Sequence, residues 1–141
     1  MGFFLHKVDG SNRPQSLDYL PCAAITPKVG MLLKWSSGNL TTCTGATDQP
    51  IYVSMTQRSA ACTAGDPIAV LKINPDMVFE VPLQETGDSN TIPGNTVGIY
   101  SDGLQATKYN ASGKAVIVAM SGGTGTSAAA GDLLYVRFKS V

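Results

Sequence analysis

Residues 27–73 read PKVGMLLKWSSGNLTTCTGATDQPIYVSMTQRSAACTAGDPIAVLKI, and residues 93–139 read PGNTVGIYSDGLQATKYNASGKAVIVAMSGGTGTSAAAGDLLYVRFK. The two stretches match at one common offset, at which Trp35 meets Tyr100 and Met55 meets Met120. After one inserted residue, an alanine-rich run ends in Gly-Asp in both. Because a repeat of this length is one structural unit used twice, the sequence predicts an internal duplication.

Each repeat predicts four short β-strands. It opens with a β-prone segment (31–35 or 97–100), followed by a Ser/Gly-rich hairpin signal and a polar return strand. A short, β-branched apolar run follows, and the Gly-Asp turn then leads into a last strand with alternating apolar side chains. The residues to which we assign structural turns are Gly38, Gly103, Gly65, Asp66, Gly131 and Asp132.

The predicted fold is all-β, because no window shows helical periodicity with caps and Gly and Pro punctuate the whole chain. Eight short strands can form a compact β-barrel or a sandwich in which the two copies pack by pseudo-two-fold symmetry. We expect a single β domain over 25–141, made of repeats 27–73 and 93–139 and the connector 74–92. The connector carries a further predicted strand at 77–81.

Residues 1–24 lie before the duplication and mix aromatic and apolar side chains with no period, which predicts an extended arm. Such an arm can pair as an added strand with an adjacent chain. We therefore expect that deleting residues 1–20 abolishes binding to the neighbouring protein while leaving the fold intact. The predicted contacts to a neighbouring protein are Phe3, Phe4, Leu5, Leu17 and Tyr19.

Composition favours an assembled protein. Apolar residues make up 43% of the chain and charged residues 14%, against about 25% charged in typical domains. Ten basic and ten acidic residues give a net charge of zero without a cluster of either sign, so we expect no direct contact with nucleic acid. We also expect no membrane anchor or secretion signal, and free thiols at Cys22, Cys43 and Cys62.

Chemistry-bearing residues are sparse, so we predict no enzymatic activity, no cofactor and no metal. Glu80 and Glu85 are the only glutamates, and His6 is the only histidine. Two sets of residues leave an alternative open. The repeated Asp66 and Asp132 fit a turn or, less well, a calcium site, whereas Trp35 and Tyr100 fit either the core or an aromatic platform.

The repeated order of strand, Ser-Ser-Gly or Ser-Asp-Gly hairpin, polar return, buried strand (50–55), alanine-rich loop and Gly-Asp before a final strand resembles the head decoration, or capsid cement, proteins of tailed DNA bacteriophages. The resemblance covers roughly residues 22–139. It implies a β-barrel or β-tulip-like protein that binds the outside of an expanded icosahedral shell, often as a trimer, and locks neighbouring subunits together.

The partners that the resemblance implies are the major capsid protein and further copies of this chain, as a homotrimer or another homo-oligomer. The implied location is the outer capsid surface of the virion, after synthesis in the bacterial cytoplasm. The alternative function is a carbohydrate- or receptor-binding β module of a phage fibre, which rests on the aromatic residues Trp35 and Tyr100.

Overall fold

The computed structural model describes residues 1–9 and 16–139 and confirms the all-β prediction. Residues 10–15 of the predicted arm and the last two residues of the predicted β domain lie outside the described part. A short 3₁₀ turn covers Gly125–Ser127. The strands are β1 (Phe4–Val8), β2 (Asp18–Pro21), β3 (Leu32–Ser36), β4 (Asn39–Thr42), β5 (Tyr52–Ser54), β6 (Pro67–Lys72), β7 (Met77–Pro82), β8 (Thr96–Ile99), β9 (Ala106–Tyr109), β10 (Ala115–Met120) and β11 (Leu133–Phe138).

The strands form two antiparallel sheets, one for each repeat. The first repeat makes a five-stranded sheet in the order β2-β6-β5-β3-β4, and the second makes a six-stranded sheet in the order β1-β7-β11-β10-β8-β9. Apart from β1, the two sheets have the same order of equivalent strands. The duplicated unit therefore has five strands and includes β2 and β7, which lie in the predicted arm and the predicted connector.

Both sheets curl in the same way. A single parallel bridge joins Cys22, just after β2, to Leu40 on β4, and an equivalent bridge joins Leu83, just after β7, to Ala106 on β9. Next to each bridge lies one backbone hydrogen bond of 2.8 Å. The N–H of Ala23 donates to the carbonyl of Leu40, and the N–H of Gln84 donates to the carbonyl of Ala106. The contact does not extend into a ladder, so among the described residues each sheet is strongly curled but is not a closed barrel.

The first hairpin has the turn that its sequence predicts. Ser37 and Gly38 have φ of 51° and 83° between the paired residues Ser36 and Asn39, and a two-residue type I′ loop requires positive φ at both central positions. Glycine satisfies this without a Cβ clash.

The second hairpin is longer, and this changes the alignment of the repeats. Its loop runs from 101 to 104, because the N–H of Tyr100 donates to the carbonyl of Gln105. Trp35 pairs with Leu40 in the first hairpin, and Ile99 pairs with Ala106 at the equivalent place in the second. The structural equivalent of Trp35 is therefore Ile99 and not Tyr100, as the sequence offset had suggested.

The two Gly-Asp turns have the same geometry. Gly65 and Gly131 have φ of 95° and 92°. Each following aspartate accepts a backbone N–H across its own turn, from Thr63 to Oδ2 of Asp66 at 3.0 Å and from Ala129 to Oδ2 of Asp132 at 3.0 Å. The carboxylates are thus used inside the turns, which accounts for the recurrence of Gly-Asp in both repeats.

The two repeats share their hydrophobic core. Leu32, Val53 and Leu71 of the first sheet belong to the core of the second. In return, Leu104 from the long hairpin loop is buried in the core of the first. The N–H of Leu32 donates to the carbonyl of Gly103 at 2.9 Å. A Cβ atom added to Gly103 would lie only 2.8 Å from the methyl carbon of Thr42. Glycine therefore permits the hairpin to approach the first repeat closely.

Phe3 fixes the N-terminus between the repeats. Its side chain is 1% exposed and packs on the ring of Phe138, with the ring centroids 5.7 Å apart. Its N–H donates to the carbonyl of Gly30 at 2.8 Å. The prediction that Phe3 contacts a neighbouring protein is therefore wrong, because its ring is part of the core. The described parts of the arm, residues 1–9 and 16–24, include β1 and β2, so the arm is built into both sheets.

We predict that Phe3→Ala lowers the free energy of unfolding by about 3–5 kcal/mol, because it leaves a cavity where the two repeats meet. Urea unfolding measures this change. Phe4→Ala is the matched control: Phe4 is 42% exposed, and its truncation is expected to cost less than about 1 kcal/mol. Equal losses of unfolding free energy for the two variants would contradict the assignment of Phe3 to the core.

Because Phe3 is part of the core, deleting residues 1–20 is expected to destabilise the fold.

Candidate protein-binding surface

The N-terminal segment carries much of the exposed apolar surface. Phe4 and Leu5 are exposed on β1. Leu17, just before β2, and Tyr19 on β2 are also exposed, and the exposed fraction of Tyr19 is 72%. The structure places these four predicted contact residues on two different sheet edges and buries the fifth, Phe3. The other exposed large apolar side chains are scattered: Met1, Trp35, Met55, Ile92 and Val118.

The outer edges of the two sheets differ in how they are covered. On one side, β4 and β9 are met by the residues that follow β2 and β7. On the other side, β7 is covered by β1, but no described strand pairs with the outer edge of β2. An uncovered edge presents backbone N–H and C=O groups that can pair with another chain. In the part of the chain that the structure describes, β1 and β2 are thus the outermost strands on this side.

The edge of β2 is the structural equivalent of the edge that accepts β1. Both first strands end in proline, and Pro21 pairs with Pro67 as Pro82 pairs with Leu133. Counting back from these prolines, Tyr19 is equivalent to Glu80, which pairs with Phe4 of β1. The position that β1 occupies on the second repeat therefore has an equivalent on the first repeat, where no described strand is paired.

The backbone of Tyr19 points towards this open position. The N–H of Cys22 donates to the carbonyl of Asp66, on the β6 side. Since successive residues of a strand direct their backbone groups to opposite sides, Tyr19 and Pro21 direct theirs away from β6. Proline has no N–H, so Pro21 limits the length of the free edge, as proline does on edge strands.

Side chains hold β1 on its sheet. Asp9 forms ion pairs with Arg137 of β11 and with Lys7, the latter at 3.5 Å. The ring of His6 packs on Tyr135, with centroids 4.7 Å apart. An open groove of about 350 Å³ lies beside the strand; its lining residues are Met1, Gly2, Phe4, Glu80, Pro82, Gln105, Gly131 and Leu133.

Trp35 lies on the surface, 44% exposed, so the core alternative does not apply to it. Its aromatic neighbour is Tyr52, whose ring meets it edge to face at 5.9 Å and 88°. Tyr100, the partner suggested by the sequence, is half-buried in the other repeat. The structure therefore gives an aromatic pair at this place, with a different second member.

The carboxylates considered for metal binding or catalysis make hydrogen bonds within the fold. Besides its turn N–H, Asp66 accepts a hydrogen bond from Arg58 at 3.3 Å. Oε1 of Glu85 accepts the N–H of Lys108 at 3.4 Å. Over residues 1–9 and 16–139, no three His, Cys, Asp or Glu side chains group in a way that would hold a metal ion.

Asp48 organises the loop between β4 and β5, which contacts the second repeat. Its Oδ2 accepts the N–H of Gly45 and the ammonium of Lys34, each at 2.9 Å. In the same loop the carbonyl of Ala46 accepts the N–H of Ile99 at 3.1 Å. Burial raises the pKa of Asp48, but the hydrogen bond from Gly45 and the charge of Lys34 outweigh it and hold that pKa below its usual value.

No model of a known protein family matches this sequence, and no curated protein matches it significantly. Within the described ranges, no helix has both the length and the apolar character that a membrane span needs.

We predict that Asp48→Asn lowers the free energy of unfolding by about 1–2 kcal/mol at neutral pH. A lowered folded-state pKa contributes stability above the ordinary value of 3.8, and this contribution is lost as the pH falls through the lower folded value. The difference between the two proteins should therefore be constant from about pH 5 to pH 8 and shrink below about pH 4. Urea unfolding at a series of pH values measures it.

Lys34→Met is the control for this prediction, because it removes the ammonium and leaves the hydrogen bond from Gly45 in place. It is expected to cost less than Asp48→Asn. A difference between wild type and Asp48→Asn that stayed the same down to about pH 2 would contradict the role of the carboxylate.

Proposed function

We propose that this protein is a non-enzymatic structural protein of a phage particle, which binds the outer capsid surface and cements neighbouring capsid subunits. The observation that supports it most is the open edge of β2. Leu17 and Tyr19 are exposed there, at the position that β1 fills on the second repeat. The proposed partner is an extended segment of the major capsid protein.

Binding at this edge proceeds by strand addition. A partner strand pairs with the backbone groups of Tyr19, and main-chain hydrogen bonds supply affinity whatever the partner sequence is. The side chains of Leu17 and Tyr19 supply apolar contacts and select the partner. The second repeat provides the model for this geometry, because β1 pairs antiparallel with β7 in a defined register.

The short edge suits a protein that acts in many copies. β2 has four residues and ends in Pro21, so a single strand addition forms few hydrogen bonds. On a capsid, many equivalent contacts act together through their high effective concentration. In the proposed assembly, self-association into a trimer or another homo-oligomer adds further contacts, and the low content of charged residues suits a surface that neighbours cover.

The prediction for this function concerns Tyr19. Tyr19→Pro removes the N–H that points to the open edge, whereas Tyr19→Ser keeps it and removes only the ring. We expect Tyr19→Pro to weaken binding to expanded phage shells at least about tenfold, which corresponds to about 1.4 kcal/mol, and Tyr19→Ser to weaken it less. Co-sedimentation with expanded and unexpanded shells measures the bound fraction.

Val118→Ser serves as the matched control, because Val118 is an exposed apolar residue on β10, which belongs to the other sheet. Each variant is first checked for an unchanged unfolding midpoint. Equal binding by wild type, Tyr19→Pro and Tyr19→Ser would exclude strand addition at β2. Absence of binding by the wild-type protein to any shell would exclude the cement function itself.

One observation favours a second candidate function, binding of carbohydrate or a receptor by a fibre module. Trp35 is exposed and supported edge to face by Tyr52, an arrangement in which an indole face can contact a sugar ring. If this function is correct, a glycan array detects binding by the isolated protein, and Trp35→Ala abolishes it without unfolding the chain. Tyr100→Ala is the control and leaves binding unchanged.

A further inference from the structure

Two of the three cysteines meet in the core of the first repeat. Cys22 follows β2, and Cys62 lies in the loop between β5 and β6; both are buried in the same small hydrophobic cluster. Cys43 belongs to the other cluster, where the repeats meet. The three thiols are free in this structure.

The backbone holds the segments of Cys22 and Cys62 side by side. The N–H of Cys22 donates to the carbonyl of Asp66 at 2.9 Å, and its carbonyl accepts the N–H of Gly65 at 2.8 Å. A second contact joins the same segments: the N–H of Cys62, three residues before Gly65, donates to the carbonyl of Ile25, three residues after Cys22, at 2.8 Å. These bonds join the two segments, and both cysteine side chains are buried in the cluster that the segments enclose.

The second repeat shows what the same positions hold without sulfur. The N–H of Gly131 donates to the carbonyl of Leu83 at 2.7 Å, as that of Gly65 does to Cys22. Counting back from the Gly-Asp turn, Ala128 is the equivalent of Cys62, and both Leu83 and Ala128 are buried. The pair Leu83 and Ala128 fills this place by packing alone, so the first repeat has two thiols where apolar side chains suffice.

We propose that Cys22 and Cys62 form an intramolecular disulfide when the protein meets a small-molecule disulfide, such as oxidised glutathione. The bond would join the end of β2 to the loop before β6. This redox site is independent of capsid binding.

The reaction proceeds by two thiol–disulfide exchanges. The thiolate of Cys62 attacks one sulfur of the small disulfide, whose S–S bond breaks and releases one thiol. The thiolate of Cys22 then attacks Sγ of Cys62 and releases the second thiol. The protein loses two S–H hydrogens and gains one S–S bond, while the small disulfide is reduced to two thiols.

Cys62 is the entry point because its loop is exposed on both sides of it, at residues 59–61 and 63–65. Burial and the neighbouring Cys62 thiol raise the pKa of Cys22 to about 12. The second exchange should become faster as the pH rises, because the thiolate of Cys22 is the attacking species.

The experiment incubates the full chain with oxidised glutathione at mildly alkaline pH and counts the alkylatable thiols after denaturation. We expect the count to fall from three to one, a mass loss of two hydrogens, and a single cross-linked peptide pair containing Cys22 and Cys62. The disulfide closes a long loop, so the midpoint of thermal unfolding should rise by roughly 5–10 °C. Reduction with dithiothreitol should reverse all of these changes.

Two variants make the test specific. Cys22→Leu with Cys62→Ala gives the first repeat the residues of the second, and it should keep one alkylatable thiol with or without oxidant. Cys43→Ala should still lose both of its thiols. Three free thiols after prolonged oxidation, a stable glutathione adduct on Cys62, or a cross-link to Cys43 would each overturn the proposal.

Discussion

The packing of Phe3 between the two repeats is the contact on which the rest of the structure depends. Leu33 and Val70 belong to the core of the first sheet, whereas their chain neighbours Leu32 and Leu71 belong to the core of the second. That shared core is completed by Phe3, whose ring meets Phe138 and whose N–H binds the carbonyl of Gly30. Phe138 in turn packs on Phe79 at 5.6 Å, so the N-terminus, the connector and the second repeat each contribute one of three packed aromatic rings.

This contact also determines where β1 lies. Because Phe3 is held at the junction, the residues that follow it run along β7 and cover the first strand of the second repeat. The chain has one such N-terminal strand and two equivalent edges. Among the described residues, β1 therefore covers the edge of β7, and no strand pairs with the equivalent edge of β2.

The sequence predicted the fold class and the turns because these depend on local signals. Ser37 and Gly38 form the expected hairpin turn, and Gly65 and Gly131 the expected turns before the last strands. The extent of the duplication was missed at β2 and β7, which are short and end in proline. An apolar residue, proline and another apolar residue do recur at Leu20-Pro21-Cys22 and Val81-Pro82-Leu83, but three residues are too few to recognise without their sheet partners.

Errors at single residues have similar physical causes. The match of Trp35 to Tyr100 failed because the second hairpin loop is longer, and only the pairing register reveals such a shift. Phe3 and Phe4 are adjacent and chemically identical in a segment without periodicity, so nothing local distinguishes the buried ring from the exposed one. The same limit applies to the contact surface. The exposure of Tyr19 was expected, but its equivalence to a strand-binding position appears only when the two sheets are compared.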